Sequence, residues 1–362
     1  MDAAKRFGLI AIAALATSVA QARVWDEHAK QLLLRSLQHA YNVNVRAIVV
    51  QFCSESGTFQ QIKVEQSKNG KSRYTIIAPL RDQGVESVDD GMKAVTYLPD
   101  NKLVLVQAST RNGYQDAKDR LALAEQNYKL SWENSPKIAG RKTVCVVATP
   151  KKGPLEERRF YIDSETAYLL RSETVGKDGN HSVKYDTRCV SYPDDMVEPG
   201  IQINELGANT VRYERQMNIS RAHSGVSQVG FEPLVPSQLP YGFTVNACQV
   251  TKSDHWQAVV VRVSDGLVRG AVYQWKPDSD DGDQGSAPDR SSLMAHGIRL
   301  LMVADIPKNA RERILQAFAA SGDHAMLTGV KSDDMELNRC GPLFNNGVGL
   351  RSYSYVAPTS TY

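Results

Sequence analysis

The stretch Asn42-Val43-Asn44-Val45-Arg46-Ala47-Ile48-Val49 decides the fold. Val43, Val45, Ala47 and Val49 alternate with Asn42, Asn44 and Arg46, the period of two that a strand with one buried face requires. Upstream the period differs: Leu32, Leu33, Leu34, Leu37 and Ala40 give Asp26 to Tyr41 a one-sided apolar stripe at helical spacing. Downstream the strand period continues. Ile62 and Val64 alternate with Lys63 and Glu65, and Tyr74, Ile76 and Ala78 with Arg73 and Thr75, on either side of the tight turn Asn69-Gly70. Met92 to Leu98 and Lys102 to Gln107 form a further hairpin that starts at Asp90-Gly91 and turns at Pro99-Asp100-Asn101.

Ala117, Leu121, Leu123 and Ala124 predict a helix over Tyr114 to Leu130. Strands are expected at Thr143 to Ala148, Arg158 to Ile162, Ala167 to Thr174 and His181 to Val190. One helix, a meander of about eight or nine strands and a helical insertion define an α+β domain of roughly 180 residues. A sheet of that size tends to curl, and its concave apolar face then either holds a greasy ligand or is filled by packed side chains.

Pro193, Pro199, Gly200, Gly207 and Gly225 break any long period between Ser191 and Gly230, although Val211 to Ala222 could form a short helix. Strand patterning resumes at Phe243 to Val250, Ala258 to Val263, Gly270 to Trp275 and Ile298 to Ala304. Asp305 is read as the cap of a helix that starts at Pro307 and carries Ala310, Ile314, Leu315 and Phe318 on its apolar side. The chain therefore divides into residues 1–22, a first domain over 23–195, a linker over 196–230, a second domain over 231–320 and a tail over 321–362.

Met1 to Ala22 has the build of an export signal: basic Lys5 and Arg6, an apolar run from Phe7 to Ala20, and the small-x-small end Ala20-Gln21-Ala22. Cleavage after Ala22 is expected, because the run is shorter than the roughly 20 apolar residues that cross a bilayer. The net charge of +3, and +2 once Asp2, Lys5 and Arg6 are gone, argues against nucleic acid, as does the lack of any basic cluster longer than a pair. In an oxidising compartment the 5 cysteines allow two disulfides and leave one thiol. Cys248 and Cys340, the two in the C-terminal part, are expected to pair. Cys145 and Cys189 lie in neighbouring strand-like segments and could also pair, leaving Cys53, although three pairings are open.

Reactive constellations are scarce. The chain lacks a Gly-x-Ser-x-Gly elbow, a His-Glu-x-x-His pair, a phosphate-binding loop and a Cys-x-x-Cys, and its 7 histidines are scattered singly, with His255 beside Trp256 the most suggestive. Asp278, Asp280, Asp281 and Asp283 lack the spacing of a calcium loop and read as a solvated acidic insertion. Asn180 and Asn218 fit the glycosylation sequon. No enzyme, metal or cofactor is expected.

A series of segments resembles the RseB/MucB family of periplasmic regulators. In the C-terminal part these are Leu239-Pro240-Tyr241-Gly242-Phe243, Val263-Ser264-Asp265-Gly266-Leu267, and Ala304-Asp305-Ile306-Pro307 with Ala310 and Ile314. In the N-terminal part Asp90-Gly91, Tyr97-Leu98-Pro99, Ile138-Ala139-Gly140-Arg141, Tyr161 to Thr166 and Leu169-Leu170-Arg171 resemble the pattern that these regulators share with LolA/LolB-like lipoprotein carriers. The resemblance implies a half-open, LolA-like barrel domain and a smaller α+β domain. It also implies a periplasmic, non-enzymatic regulator that binds the periplasmic part of a one-span anti-sigma factor and senses a lipid or lipoprotein, with a lipid or lipoprotein carrier as the alternative. Val45, Val49, Ile62, Val64, Tyr74, Ile76, Tyr97 and Leu105 are the expected lining of the concave face. The acidic insertion and the tail with Cys340 depart from the family's pattern.

Overall fold

The computed structural model describes residues 27–38, 43–53, 58–108, 114–199, 209–212, 216–217, 229–252, 257–277 and 290–325. Residues 1–22, expected to be an export signal, and His255, Trp256, the acidic insertion, Asn218, Cys340 and the tail beyond 325 lie outside them. Helix α1 covers 27–37. Eleven strands follow, β1 (Val45–Cys53), β2 (Thr58–Gln66), β3 (Ser72–Ala78), β4 (Glu86–Asp89), β5 (Lys93–Leu98), β6 (Leu103–Ala108), β7 (Tyr128–Asn134), β8 (Thr143–Pro150), β9 (Glu157–Asp163), β10 (Leu169–Val175) and β11 (His181–Ser191), with α2 (Tyr114–Asn127) between β6 and β7. Together with β12 (Asn209–Arg212) they form an open 12-stranded sheet in the order β12-β6-β5-β4-β3-β2-β1-β11-β10-β9-β8-β7. The first strand thus sits in the middle, antiparallel to β2 on one side and to β11 on the other.

The curl has a local cause. Register shifts interrupt the ladders between Ile48 and Val49, Gln61 and Ile62, Ser172 and Glu173, and Leu169 and Arg171. Each inserts an unpaired residue that bends and twists its strand. The second sheet holds β13 (Gln216–Met217), β14 (Thr244–Lys252), β15 (Gln257–Ser264), β16 (Arg269–Trp275), β17 (Arg290–Ala295) and β18 (Ile298–Ala304), in the order β13-β14-β15-β16-β18-β17. Helix α3 (Lys308–Ala325) covers one face of it, burying Ala310, Ile314, Leu315 and Phe318 against Val259, Val261, Val272, Leu300 and Met302.

The α+β class and the curled antiparallel sheet agree with the sequence reading, and five details differ. The helix expected to reach Leu130 ends at Asn127, and the chain enters β7 at Tyr128, because the Asn127 amide donates to the Gly242 (3.0 Å) and Asp265 (2.9 Å) carbonyls of the second domain. Val211 and Arg212 belong to a strand instead of a helix, because pairing with β6 outweighs local propensity. The stretch read as linker therefore places one strand in each sheet. Asp305 does not cap α3; its carboxylate faces Arg158 and Lys184 of the large domain. Cys145 and Cys189 are free thiols in β8 and β11, with two strands between them, too far apart to bridge. Cys248 is buried in β14, which pushes its thiol up to about 12, and its expected partner Cys340 lies outside the described residues.

Both domains contribute to one apolar core. Ala29, Leu32 and Leu33 of α1, Tyr128 and Leu130 of β7, and Val146 and Ala148 of β8 form a single cluster with Phe243, Val261, Leu300 and Phe318 of the second domain. Polar contacts close the junction around it. Tyr128 Oη donates to Asp265 Oδ2 (2.6 Å), whose other oxygen accepts the Leu267 and Val268 amides. Lys184 Nζ lies 2.9 Å and Arg158 3.5 Å from the Asp305 carboxylate. Burial alone would push that carboxyl up, yet the two cations hold it below the usual carboxylate value. The Gly266 turn (φ 99°) rests directly on the backbone of α2, where an added Cβ would come within 2.4 Å of the Ala124 nitrogen. Gly266→Ala should therefore cost about 2–4 kcal/mol in a urea unfolding experiment. Gly297→Ala, at a comparable φ of 73° but with nothing within 4 Å of its Cβ, should cost only about 1–2 kcal/mol.

Candidate functional site

Register assembles one face of the large sheet. Ala47, Val64, Tyr74, Ser87, Thr96 and Leu105 lie opposite one another across five successive ladders. Val45 and Val49 flank Ala47 on the same side, and Ile62 pairs with Ile76 beyond the β3 bulge at Ile77. Seven of the eight expected lining residues thus share a face: Val45, Val49, Ile62, Val64, Tyr74, Ile76 and Leu105. Tyr97 does not. It pairs with Glu86 and Val104 in the adjacent row and packs against Val88, Val95 and Val104 on the other side of the sheet.

Strands 10 and 11 complete the face with residues that the sequence reading missed. Leu170, Tyr185 and Tyr168 join Val45, Val49, Ile62, Val64 and Ile76 in one buried cluster, to which Ile138 is added from the β7–β8 turn. The Tyr168 and Tyr185 hydroxyls are 3.0 Å apart, and those of Ser87 and Thr96 2.9 Å. Burial pushes the Tyr185 phenol up to about 12 and Tyr168 well above its ordinary value. These hydroxyl pairs sit among aliphatic side chains that are themselves buried, so the face is filled by packed side chains. The alternation Val183, Tyr185, Thr187 was a usable signal for β11. Its adjacency to β1, across more than a hundred residues, was not.

The turn that carries Ile138 is fixed from outside the face. Ala139 (φ 50°) and Gly140 (φ 78°) form a hairpin closed by reciprocal bonds between Ile138 and Arg141. Arg141 Nε then donates to Asp163 Oδ2 (2.7 Å), and its guanidinium lies 5.2 Å from the Tyr192 ring centre. Asp163, fully buried, also accepts the Tyr192 hydroxyl (3.0 Å) and the Glu165 (2.9 Å) and Thr166 (3.2 Å) amides. Burial pushes this carboxyl up, but the bonds from Arg141, the two amides and Tyr192 outweigh it and hold it below the usual carboxylate value. The Ile-Ala-Gly-Arg and Asp-Ser-Glu-Thr segments are thus two halves of one clamp at the rim of the face. Among the described residues, no three His, Cys, Asp or Glu side chains are grouped so as to hold a metal ion.

A curled open sheet with a continuous buried apolar face, braced by a second α+β domain through a shared core, defines a two-domain α+β protein. The family model described as the MucB/RseB N-terminal domain matches residues 28–183. A search of curated protein sequences gives no match. Among solved structures, the complex of Pseudomonas aeruginosa MucA/MucB is 17% identical, with a TM-score of 0.55, over 79% of this chain and 96% of that one. A crystal structure of MucB is 16% identical, with a TM-score of 0.56, over 80% of this chain and 97% of that one. A third structure, of MucB in complex with MucA(peri), has a TM-score of 0.54 at 17% identity, over 80% of this chain and 97% of that one. Residues 28–183 thus match the MucB/RseB N-terminal domain, and the chain shares the fold of the solved MucB structures.

Three outcomes are expected for the face and its clamp. Asp163→Asn should destabilise the protein by about 2–4 kcal/mol at pH 7, since it leaves Arg141 without its buried partner. A depressed carboxyl stabilises the fold above its unfolded pKa and loses that effect as pH falls through the folded one. The wild type should therefore lose stability below about pH 4 more steeply than the variant in urea titrations at stepped pH. A double-mutant cycle of Tyr168→Phe and Tyr185→Phe should give a coupling of about 0.5–1.5 kcal/mol, the contribution of one buried hydroxyl pair.

Proposed function

We propose that this chain is a non-enzymatic, exported regulator that binds the periplasmic part of a one-span anti-sigma factor. The supporting observation is the extent of the likeness: it covers 96% and 97% of the MucB chains in two structures solved with MucA. The alternative, a periplasmic lipid or lipoprotein carrier, needs only the large domain and leaves the second without a task. In this reading residues 1–22 are removed after Ala22 in the periplasm, 23–195 and 231–320 are the two domains, and 321–362 is an added tail with Cys340 as the partner of Cys248. The face of Val45, Val49, Ile62, Val64, Tyr74, Ile76 and Leu105 is the proposed seat of a lipid or of the acyl chains of a lipoprotein; Tyr97, on the other side of the sheet, is left out of it.

In-cell crosslinking of the tagged protein, followed by mass spectrometry, separates the two readings. Recovery of a one-span membrane protein with a cytoplasmic sigma-binding segment is the expected outcome. Recovery of lipid or diverse lipoproteins without such a partner would establish the carrier.

A further inference from the structure

We infer that residues 135–142, the turn between β7 and β8, are a latch over the rim of the apolar face, and that an acyl chain enters by taking the place of Ile138 when the turn lifts; this rests on the lipid-seat reading above. As it stands the face is filled, so a ligand reaches it only if something moves. The strand residues of the face are held by ladders, whereas the turn is held by little. Ile138, 8% exposed, is its one buried side chain, and with the half-buried Ala139 it packs into the cluster of the face. β7 and β8 themselves give no residue to that cluster, so the turn reaches it from outside. Among the described residues, the main chain of 137–141 bonds only to itself, the Ile138 amide to the Arg141 carbonyl (3.1 Å) and the Arg141 amide to the Ile138 carbonyl (2.9 Å).

The base of the turn is fastened and its tip is locked. Thr143, the first residue of β8, bonds the Ser135 hydroxyl and donates to the Pro136 carbonyl (2.5 Å), and the Lys142 carbonyl accepts the Ser164 amide (3.0 Å), so the base stays on the sheet. The lock is Arg141, which reaches Asp163 (2.7 Å) and Glu165 (2.5 Å). When Arg141 leaves, Asp163 keeps the Tyr192 hydroxyl and the Glu165 and Thr166 amides, so opening does not strip a buried carboxylate of its donors. The Tyr192 ring, with the Arg141 guanidinium over it, lies 6.3 Å from that of Tyr168 and ties the lock to the face. The backbone works against the lock. Ala139, at φ 50°, occupies the left-handed region, where its Cβ crowds the carbonyl and where Asn or Gly is the usual residue of such a turn. Strain of this kind persists only where the surroundings enforce it, and it concentrates at ligand clamps and switches. Here burial of Ile138 and the ion pairs of Arg141 enforce it. Lifting the turn relieves the strain, and an acyl chain in the Ile138 position restores the apolar burial that lifting gives up.

Two variants that bias the latch in opposite directions test this, with a fluorescent long-chain fatty acid as the probe and anisotropy as the readout on the purified full chain. Arg141→Ala removes the lock and raises the share of open turn, so it should bind the probe at least about fivefold more tightly than wild type. Ala139→Gly relieves the strain of the closed turn while keeping Ile138 and Arg141, so it should bind about threefold more weakly. A merely structural role for the turn would not move the two variants apart. With the probe bound to wild type, hydrogen exchange should speed up at the Ile138 and Arg141 amides while the β7–β8 ladder stays protected. Ala139→Gly and the wild-type exchange decide the matter if Arg141→Ala fails to fold. Equal or weaker binding by folded Arg141→Ala, equal or tighter binding by Ala139→Gly, or unchanged exchange at those two amides in the wild-type complex would overturn the latch and leave the lipid seat standing. Absence of binding by wild type and both variants would instead overturn the lipid-seat reading, and the latch with it.

Discussion

The apolar core shared by the two domains is the contact on which the rest of the structure depends. Neither domain buries its own faces completely. The side of β7 and β8 that carries Tyr128, Leu130, Val146 and Ala148 is covered by the second domain together with α1, and the second sheet buries Phe243 and Val261 in the same cluster. Each fully buried aliphatic or aromatic side chain is worth about 1.5–3 kcal/mol, so a cluster of this extent makes separation of the domains costly. The polar contacts around it act differently. Asp265 and Asp305 are held by Tyr128 and by Arg158 with Lys184, and their geometry fixes the angle at which the two apolar surfaces meet.

This explains why the C-terminal segments take the residues they do. Gly242 stands against Asn127, where an added Cβ would collide with its side-chain amide, and Gly266 stands against the backbone of α2. Asp265 and Asp305 provide the carboxylates that the large domain binds. Three segments separated in sequence thus answer to one junction, and their small and acidic residues serve an approach of two backbones as much as the turns in which they sit. The face of the large sheet follows the same logic on its own scale: the Ile138 to Arg141 turn and the Asp163 turn, separate in sequence, are joined by one buried carboxylate.

Much of this was legible beforehand. The hairpins at Asn69-Gly70 and Asp90-Gly91 turn where expected, with Gly70 and Gly91 at φ of 87° and 89°. The apolar side of α3 is buried as its spacing required. The errors fall where distant residues decide. Asn127 ends α2 because of Gly242 and Asp265, β12 exists because of β6, and β17 emerges beside β18 although its own alternation, Arg-Ser-Ser-Leu-Met-Ala, is weak. Tyr97 shows the limit on the binding face: alternation assigned it to a set of neighbours within its strand, but not to a side of the sheet relative to Tyr74.

By itself, then, the sequence determined the periods, the turns, the α+β class and the family pattern, because each depends on residues a few positions apart whose sterics and burial act locally. Only the tertiary structure decided the strand order that places β1 between β2 and β11, the bulges that curl the sheet, the face shared by Val45 and Tyr185, and the junction that unites the domains. Those depend on which distant surfaces exclude water together, and on bonds made only once the surfaces have met.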